Sequence, residues 1–310
     1  MRARRQLPDR SGTDREKSAS PRRLRAAFPL GLLAVAALVT LSVAVSLVSH
    51  GHSLEAAPAQ AKAPVAAPSA TLFRIVGCRS SGLAAHREGP SRREVAIGFD
   101  DGPWTDTPAF VTMLERNDAR ATFFMIGRQI TSADRALLLR ELRNGDVLGD
   151  HTFTHPDLTR SSEVRLQLLR TIDVIRAVSG YTPCVFRPPY GAYDRSVVQI
   201  ARSLGLSTVL WNVDPTDWAL PGTPAIEQRV LAQVRPGSII ISHDGGGPRG
   251  ETLAAYPNII RKLRARGYGI VTIPELLGYR PVYEPCIKLC DGLGVTRAQL
   301  PRGAIVVASP

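Results

Sequence analysis

The stretch Glu94–Trp104, EVAIGFDDGPW, decides the fold. Glu94–Phe99 reads as a β-strand that runs into two adjacent aspartates, Asp100 and Asp101, before Gly102–Pro103 breaks it. Working outward, a helical pattern covers Thr107–Arg116 and a second strand covers Ala121–Ile126. A helix is expected over Ala133–Asn144, with Gly145 placed to close it in the left-handed conformation. A short third strand starts at Asp146–Leu148. Over Ser162–Val178, the residues Val164, Leu168, Ile172 and Ile175 share one helical face, which should pack on a sheet. Further strands are expected at Cys184–Arg187, Ser207–Trp211, Ser238–Ser242 and Gly269–Ile273. Helices at Ser196–Leu204, Pro224–Gln233 and Thr252–Arg266 separate them. Such alternation predicts an α/β protein with a parallel sheet, open or closed into a barrel, and compact for an eightfold one. No internal repeat is visible, and the tail from Arg280 to Pro310 shows no clear pattern.

The flanks read differently. The 310 residues carry a net charge of +12, but residues 1–26 hold nine Arg or Lys against Asp9, Asp14 and Glu16. Half of the surplus lies there, which removes the nucleic-acid partner that a basic chain otherwise suggests. Ala26–Val48 has no charge and is long enough to cross a hydrocarbon core of about 30 Å. With the basic block before it and no Lys or Arg until Lys62, it predicts a single-pass anchor in the cell membrane and an exported remainder. A cleaved secretory signal is the alternative. The expected organisation is a basic cytoplasmic segment over 1–25, the anchor or signal over 26–48 and a disordered Ala/Pro-rich linker over 49–90. A folded domain over 91–280 and a tail over 281–310 complete it. Cys78, Cys184, Cys286 and Cys290 are expected as disulfides, with three connectivities open and the tail pair available to staple the tail to the domain. A monomer is expected.

The polar residues able to do chemistry collect after strands. Asp100–Asp101 follow the first, Asp150–His155 (DHTFTH) the third and Arg187–Gly191 (RPPYG) the fourth. Asp214–Trp218 and Ser242–Asp244 follow the next two. Parallel α/β folds place their sites at the carboxyl ends of strands, so five distant segments can share one cleft. His151 and His155, four residues apart, bring two imidazoles together. One carboxylate, with Asp101 the natural candidate, completes three ligands and leaves a position open, the pattern of catalytic zinc. Asp100 is then free for another task, and two adjacent aspartates in a dry cleft repel unless a cation lies between them. Taken singly, His-x3-His is more often a helix-surface pair and Asp-Asp a solvated turn; the joint placement after strands carries the reading. Arg187 suits a charge partner that keeps a catalytic aspartate ionised, and the Pro188–Pro189 turn can aim a backbone N–H at a reacting oxygen. Trp211 reads as core on its strand, whereas Trp104 and Trp218 sit in loops as flat walls for sugar rings.

With these residues in place, the stretch from about 93 to 279 resembles the polysaccharide deacetylases of carbohydrate esterase family 4, which share the NodB-homology domain; their five motifs appear in order. The resemblance implies a distorted (β/α)7-type barrel and metal-dependent removal of acetyl groups from N-acetylated sugars, with zinc, or else cobalt or nickel, as the divalent metal. It implies Asp101, His151 and His155 as metal ligands, Asp100 as general base and Arg187 as the partner of Asp100. It further implies the Tyr190 backbone N–H at the oxyanion, His243 as general acid supported by Asp217, and Trp218 and Ile241 around the acetyl methyl. Gly98, Asp150 and Ser242 depart from the residues common at those positions, and Ser242 puts the acetyl pocket most in doubt. Peptidoglycan outside the cell is the expected substrate, with chitin-like oligosaccharides or O-acetylated xylan as alternatives. The reading from another class is a glycan-binding domain that has lost catalysis; retention of Asp100, Asp101, His151, His155 and His243 opposes it.

Overall fold

Strand β2 (Glu94–Gly102) is apolar on both faces over Val95–Phe99 and pairs with three strands of the parallel sheet. The computed structural model describes residues 71–80, 85–286 and 290–308. Ahead of β2 lies β1 (Leu72–Arg79). After it come α1 (Thr107–Arg116), β3 (Thr122–Met125), α2 (Arg135–Asn144), β4 (Val147–Asp150), α3 (Val164–Ser179) and β5 (Val185–Phe186). Then follow α4 (Arg195–Ser203), β6 (Ser207–Thr208), α5 (Thr223–Gln233), β7 (Ile239–His243), α6 (Gly250–Ala265), β8 (Gly269–Val271) and α7 (Ile273–Leu276). The chain ends with β9 (Arg280–Cys286), β10 (Val295–Thr296) and β11 (Ile305–Val306).

Strands β2 to β8 run parallel in the order β6-β5-β4-β3-β2-β7, with β8 paired to the amino-terminal part of β2. The strip after β6 closes the ring: the Asn212 and Val213 N–H groups donate to the Ile239 carbonyl, and the Ile241 N–H donates to the Val213 carbonyl. The sheet therefore curls as a distorted barrel, with β5 and β6 reduced to two residues each. In register, Asp100 on β2 lies beside Phe124 on β3 and His243 on β7. Phe99 meets Phe110 of α1 and Tyr256 of α6 edge to face, each at 4.9 Å, which joins β2 to two outer helices. Buried Leu138 and Leu142 of α2 and Ile259, Ile260 and Leu263 of α6 extend that core. Gly145 ends α2 at φ 86, as its position predicts.

The expected membrane anchor does not stand. Residues 26–48, on which it rested, lie outside the described residues, and among the described residues no helix is long and apolar enough to cross a membrane. The longest of them, α3 and α6, have 16 residues, roughly 24 Å, and α3 carries Arg165, Arg170, Asp173 and Arg176. The single-pass placement in the cell membrane, with the membrane as partner, is accordingly withdrawn.

Two terminal stretches without an expected structure pair with each other. Strand β1 falls in the segment expected as linker, and β9, β10 and β11 fall in the tail. They form a four-stranded sheet ordered β10-β1-β9-β11, with Leu72 opposite Cys286 and Arg79 opposite Arg280. Buried Phe73 and the Arg74–Glu284 ion pair at 2.6 Å hold that ladder. It docks where β5 begins: the Thr182 N–H donates to the Val76 carbonyl at 2.9 Å and Cys78 is disulfide-bonded to Cys184. The other disulfide joins Cys286 to Cys290. The tail cysteines thus close on each other, and the β1–β9 ladder, not a disulfide, ties the tail down.

Candidate active site

The site begins with a bulge. Successive strand residues normally face opposite sides, but the β2–β3 register slips between Asp100 and Gly102, and Asp101 takes φ 75. Both carboxylates thereby line one cleft. The segment after β7 wraps this bulge closely: a Cβ at Gly245 would lie 2.0 Å from the Asp101 carbonyl oxygen. Gln129 Nε2 donates to the same oxygen at 3.0 Å. Thr152, His155, Tyr190 and Thr216 also hold positive φ in loops around the cleft. Such strain persists only where the surroundings over-determine it, and it gathers at functional sites.

Asp101 Oδ1 lies 3.5 Å from His151 Nε2 and 3.3 Å from His155 Nε2. One ligand atom from each of the three residues falls within 4.8 Å of the other two. Asp101 Oδ1 is buried and has no hydrogen-bond partner, which is the state of an oxygen that awaits a cation. His151 Nδ1 is 2.7 Å from the Arg187 carbonyl oxygen and must donate its proton there, so Nε2 keeps its lone pair. His155 Nδ1 is fixed by the Tyr190 hydroxyl at 3.1 Å. Burial pushes the His151 imidazole down to about 3 and lowers His155 as well, against the pull of Asp101, so both rings are neutral, as metal ligation requires. The residues present fit a divalent cation.

Asp100 faces that trio. Its Oδ1 accepts a hydrogen bond from Arg187 Nη1 at 2.7 Å, and both side chains are buried. Arg187 stacks over Phe124, 4.1 Å from the ring centroid. A Cβ at residue 98 would lie 2.6 Å from Nη1, so the glycine that departs from the family pattern makes room for the guanidinium. Burial raises the Asp100 carboxyl above the usual carboxylate range, opposed by Arg187 and His243. Across the cleft, His243 Nδ1 contacts Asp217 Oδ1 at 2.8 Å. Asp217 is buried and also accepts from the His243 N–H and the Thr252 hydroxyl, each at 2.9 Å. Burial works to lower the His243 imidazole, but the Asp217 bond and charge, with the Asp100 and Asp101 carboxylates, outweigh it and raise it.

The cleft has a volume of about 500 Å³, and Asp100, Asp101, His151, His155 and His243 all open onto it. Tyr190, Trp218 and Ile241 line it too, with Arg187 and Asp217 bonded behind it. Trp104 does not share this wall; it lines an adjoining hollow beyond Asp101 and His155. Trp211, expected in the core, lines the cleft and lies 5.7 Å from the Arg187 guanidinium carbon. Ser242 faces away, accepting from the Tyr256 hydroxyl at 2.7 Å, because alternate residues of β7 face opposite ways. Ser242 therefore does not line the cleft. Burial holds the Asp150 carboxyl well above the usual range, and its Oδ1 accepts the Thr152 N–H. Thr252 carries no motif signal because its partner Asp217 is 35 positions away; Asp244, within the Ser242–Asp244 segment, is buried against Gly102.

Residues 87–209 match the family described as polysaccharide deacetylase. The peptidoglycan-N-acetylglucosamine deacetylase PgdA of Listeria monocytogenes is 36% identical over 61% of this chain; the match spans 40% of that relative's length. A chitooligosaccharide deacetylase of Sinorhizobium fredii is 38% identical over 61% of this chain and 94% of its own. Among solved structures, a peptidoglycan N-acetylglucosamine deacetylase superposes with a TM-score of 0.60 at 32% identity, covering 63% of this chain and 92% of that one.

Proposed function

The chain belongs to the polysaccharide deacetylase family, and from that premise we propose that it is a metal-dependent hydrolase that removes the N-acetyl group from an N-acetylglucosamine-type glycan, peptidoglycan first among them. The observation that carries the reading is the meeting of Asp100–Arg187, the Asp101–His151–His155 trio and His243–Asp217 in one cleft. The two relatives described above, named for peptidoglycan and chitooligosaccharide, support an N-acetylated glycan. The Cys78–Cys184 disulfide suits an oxidising compartment, where cell-wall polymer is met.

Asp101, His151 and His155 would hold the divalent cation, zinc by the donor set of one carboxylate and two imidazoles. Such a cation supplies Lewis-acid polarisation of the acetamide carbonyl and a more acidic water. Asp100 takes the proton of the attacking water; its raised affinity makes it a better base than a free carboxylate, and Arg187 fixes its orientation. Tyr190, held at φ 59 beside the cleft, would offer its peptide N–H to the developing oxyanion. An amine leaves only when protonated, so His243 donates from Nε2 while Asp217 holds Nδ1. Ile241 and Trp218 enclose the acetyl methyl, and Trp211 closes the wall beside them.

The test is acetate release from purified cell wall, chitooligosaccharide and acetylated xylan, before and after chelation. Release from an N-acetylated glycan, lost on chelation and restored by zinc, is expected. A protein that binds zinc and releases acetate from none of the three is a silent glycan-binding domain, and the reading fails.

A further inference from the structure

The hollow beyond Asp101 and His155 has a volume of about 480 Å³ and is lined by Trp104, Arg128 and Gln129. It shares its inner edge with the cleft but differs in charge. Apart from histidines, the charged lining of the cleft is Asp100, Asp101 and Asp214, and among the described residues no Lys or Arg opens onto it. In the hollow, which Asp101 also borders, Arg128 is the one Arg or Lys among the described residues. Its guanidinium is exposed and pairs with no carboxylate of the described residues. Its backbone is fixed, since the Arg128 N–H donates to the Phe153 carbonyl and the neighbouring Gln129 side chain holds the Asp101 carbonyl. Trp104 presents an exposed ring to the same space, its turn pinned by the Thr107 hydroxyl at 2.8 Å. The two spaces meet at Asp101 and His155, with Asp214 and Trp218 lining the cleft and Arg128 and Trp104 the hollow.

We propose that Arg128 is a specificity-determining residue that binds a carboxylate carried by the sugar next to the one deacetylated, so that the substrate class is an acidic N-acetylated glycan. The inference rests on the deacetylase reading above and deepens it. A planar guanidinium matches a carboxylate with two parallel hydrogen bonds, and the Trp104 face offers an apolar platform for the ring that carries it. A neutral neighbour gains the platform alone. An acidic neighbour toward Asp214 meets repulsion, so the asymmetry fixes the direction in which a strand of alternating neutral and acidic sugars lies. Two sources present this chemistry: the free lactyl carboxylate of a peptide-free wall strand, and the carboxylates of a peptide still attached.

The experiment measures acetate release and equilibrium binding for the zinc-loaded full chain, using neutral chitooligosaccharide, peptide-free wall strands and peptide-bearing strands. The wild type is compared with Arg128→Gln and Arg128→Glu. The ratio of kcat/KM on acidic to neutral glycan should fall about five- to tenfold in Arg128→Gln, through KM, and further in Arg128→Glu. Whichever acidic strand shows the fall identifies the carboxylate. Neutral glycan serves as internal reference, so a general loss of folding leaves the ratio intact. If no protein releases acetate yet Arg128→Glu still loses its binding preference for acidic strands, the deacetylase reading fails and the carboxylate site stands. Equal ratios and equal binding preferences in all three proteins overturn the proposal.

Discussion

At the carboxyl ends of the barrel strands, Asp101, Thr152, His155, Tyr190 and Thr216 hold positive φ, and a buried ion pair faces three crowded ligand atoms. Where β5 begins, the β10-β1-β9-β11 sheet is a ladder with one register shift, between Ile75 and Gly77, an outer ion pair and a disulfide to the barrel. The first region carries strain and desolvated charge, both of which cost stability. The second contributes stability and holds none of the residues that line the cleft. Activity and stability are therefore concentrated at different places, and substitutions should separate them except where a catalytic group is also a structural partner.

Asp100→Asn is that exception and should have the largest effect. Removing the base costs about 10²–10⁴ in rate. Leaving Arg187 buried without its carboxylate should cost roughly 3–5 kcal/mol of stability. Acetate release and a thermal melt on one preparation check both, and a near-normal rate would exclude Asp100 as the base. Replacing Cys78 and Cys184 by Ala tests the other region: about 2–4 kcal/mol of stability should go, with kcat intact below the new melting temperature. Loss of kcat at unchanged Tm would break the comparison.

A smaller effect is expected at the wall of the cleft. As the proposed general acid, His243 has to be protonated, and its raised affinity keeps it so to higher pH. Asp217→Asn should therefore move the alkaline limb of the rate profile to lower pH and slow the reaction about tenfold. An unmoved limb would detach His243 from the acid role. A change confined to pH dependence concerns Asp146, just before β4, whose carboxyl burial pushes up to about 7. The folded chain keeps a proton there that the unfolded chain releases, so stability should fall as pH rises from about 4 to about 7. Asp146→Asn still accepts the Ala121 N–H through its Oδ1 and should reduce that slope, read from denaturant melts at several pH values. An unchanged slope would contradict it.

Much of the barrel was legible because its signals are local. The helix Thr107–Arg116 has its expected bounds, since Phe110, Val111 and Leu114 repeat at helical spacing behind Pro108. The site residues gather because each motif sits where a strand ends. What was hidden is non-local. Room for Arg187 is made by Gly98, and the ladder of β1 forms with residues more than 200 positions away. Strands β5 and β6 came out shorter than expected, because Pro188–Pro189 and the return of 210–213 to β7 draw the chain out of the β5–β6 ladder. Trp211 packs against the core as its sequence suggests, but the strand ends at Thr208 and the same residue also lines the cleft.

The central claim is that Asp101, His151 and His155 together hold one divalent cation. Calorimetric titration of the metal-free full chain with zinc, beside His151→Ala, tests it most directly. The account predicts one ion bound per wild-type chain and none at the same concentrations in the variant. A wild type that takes up no zinc, or a variant that binds it as tightly, would contradict it.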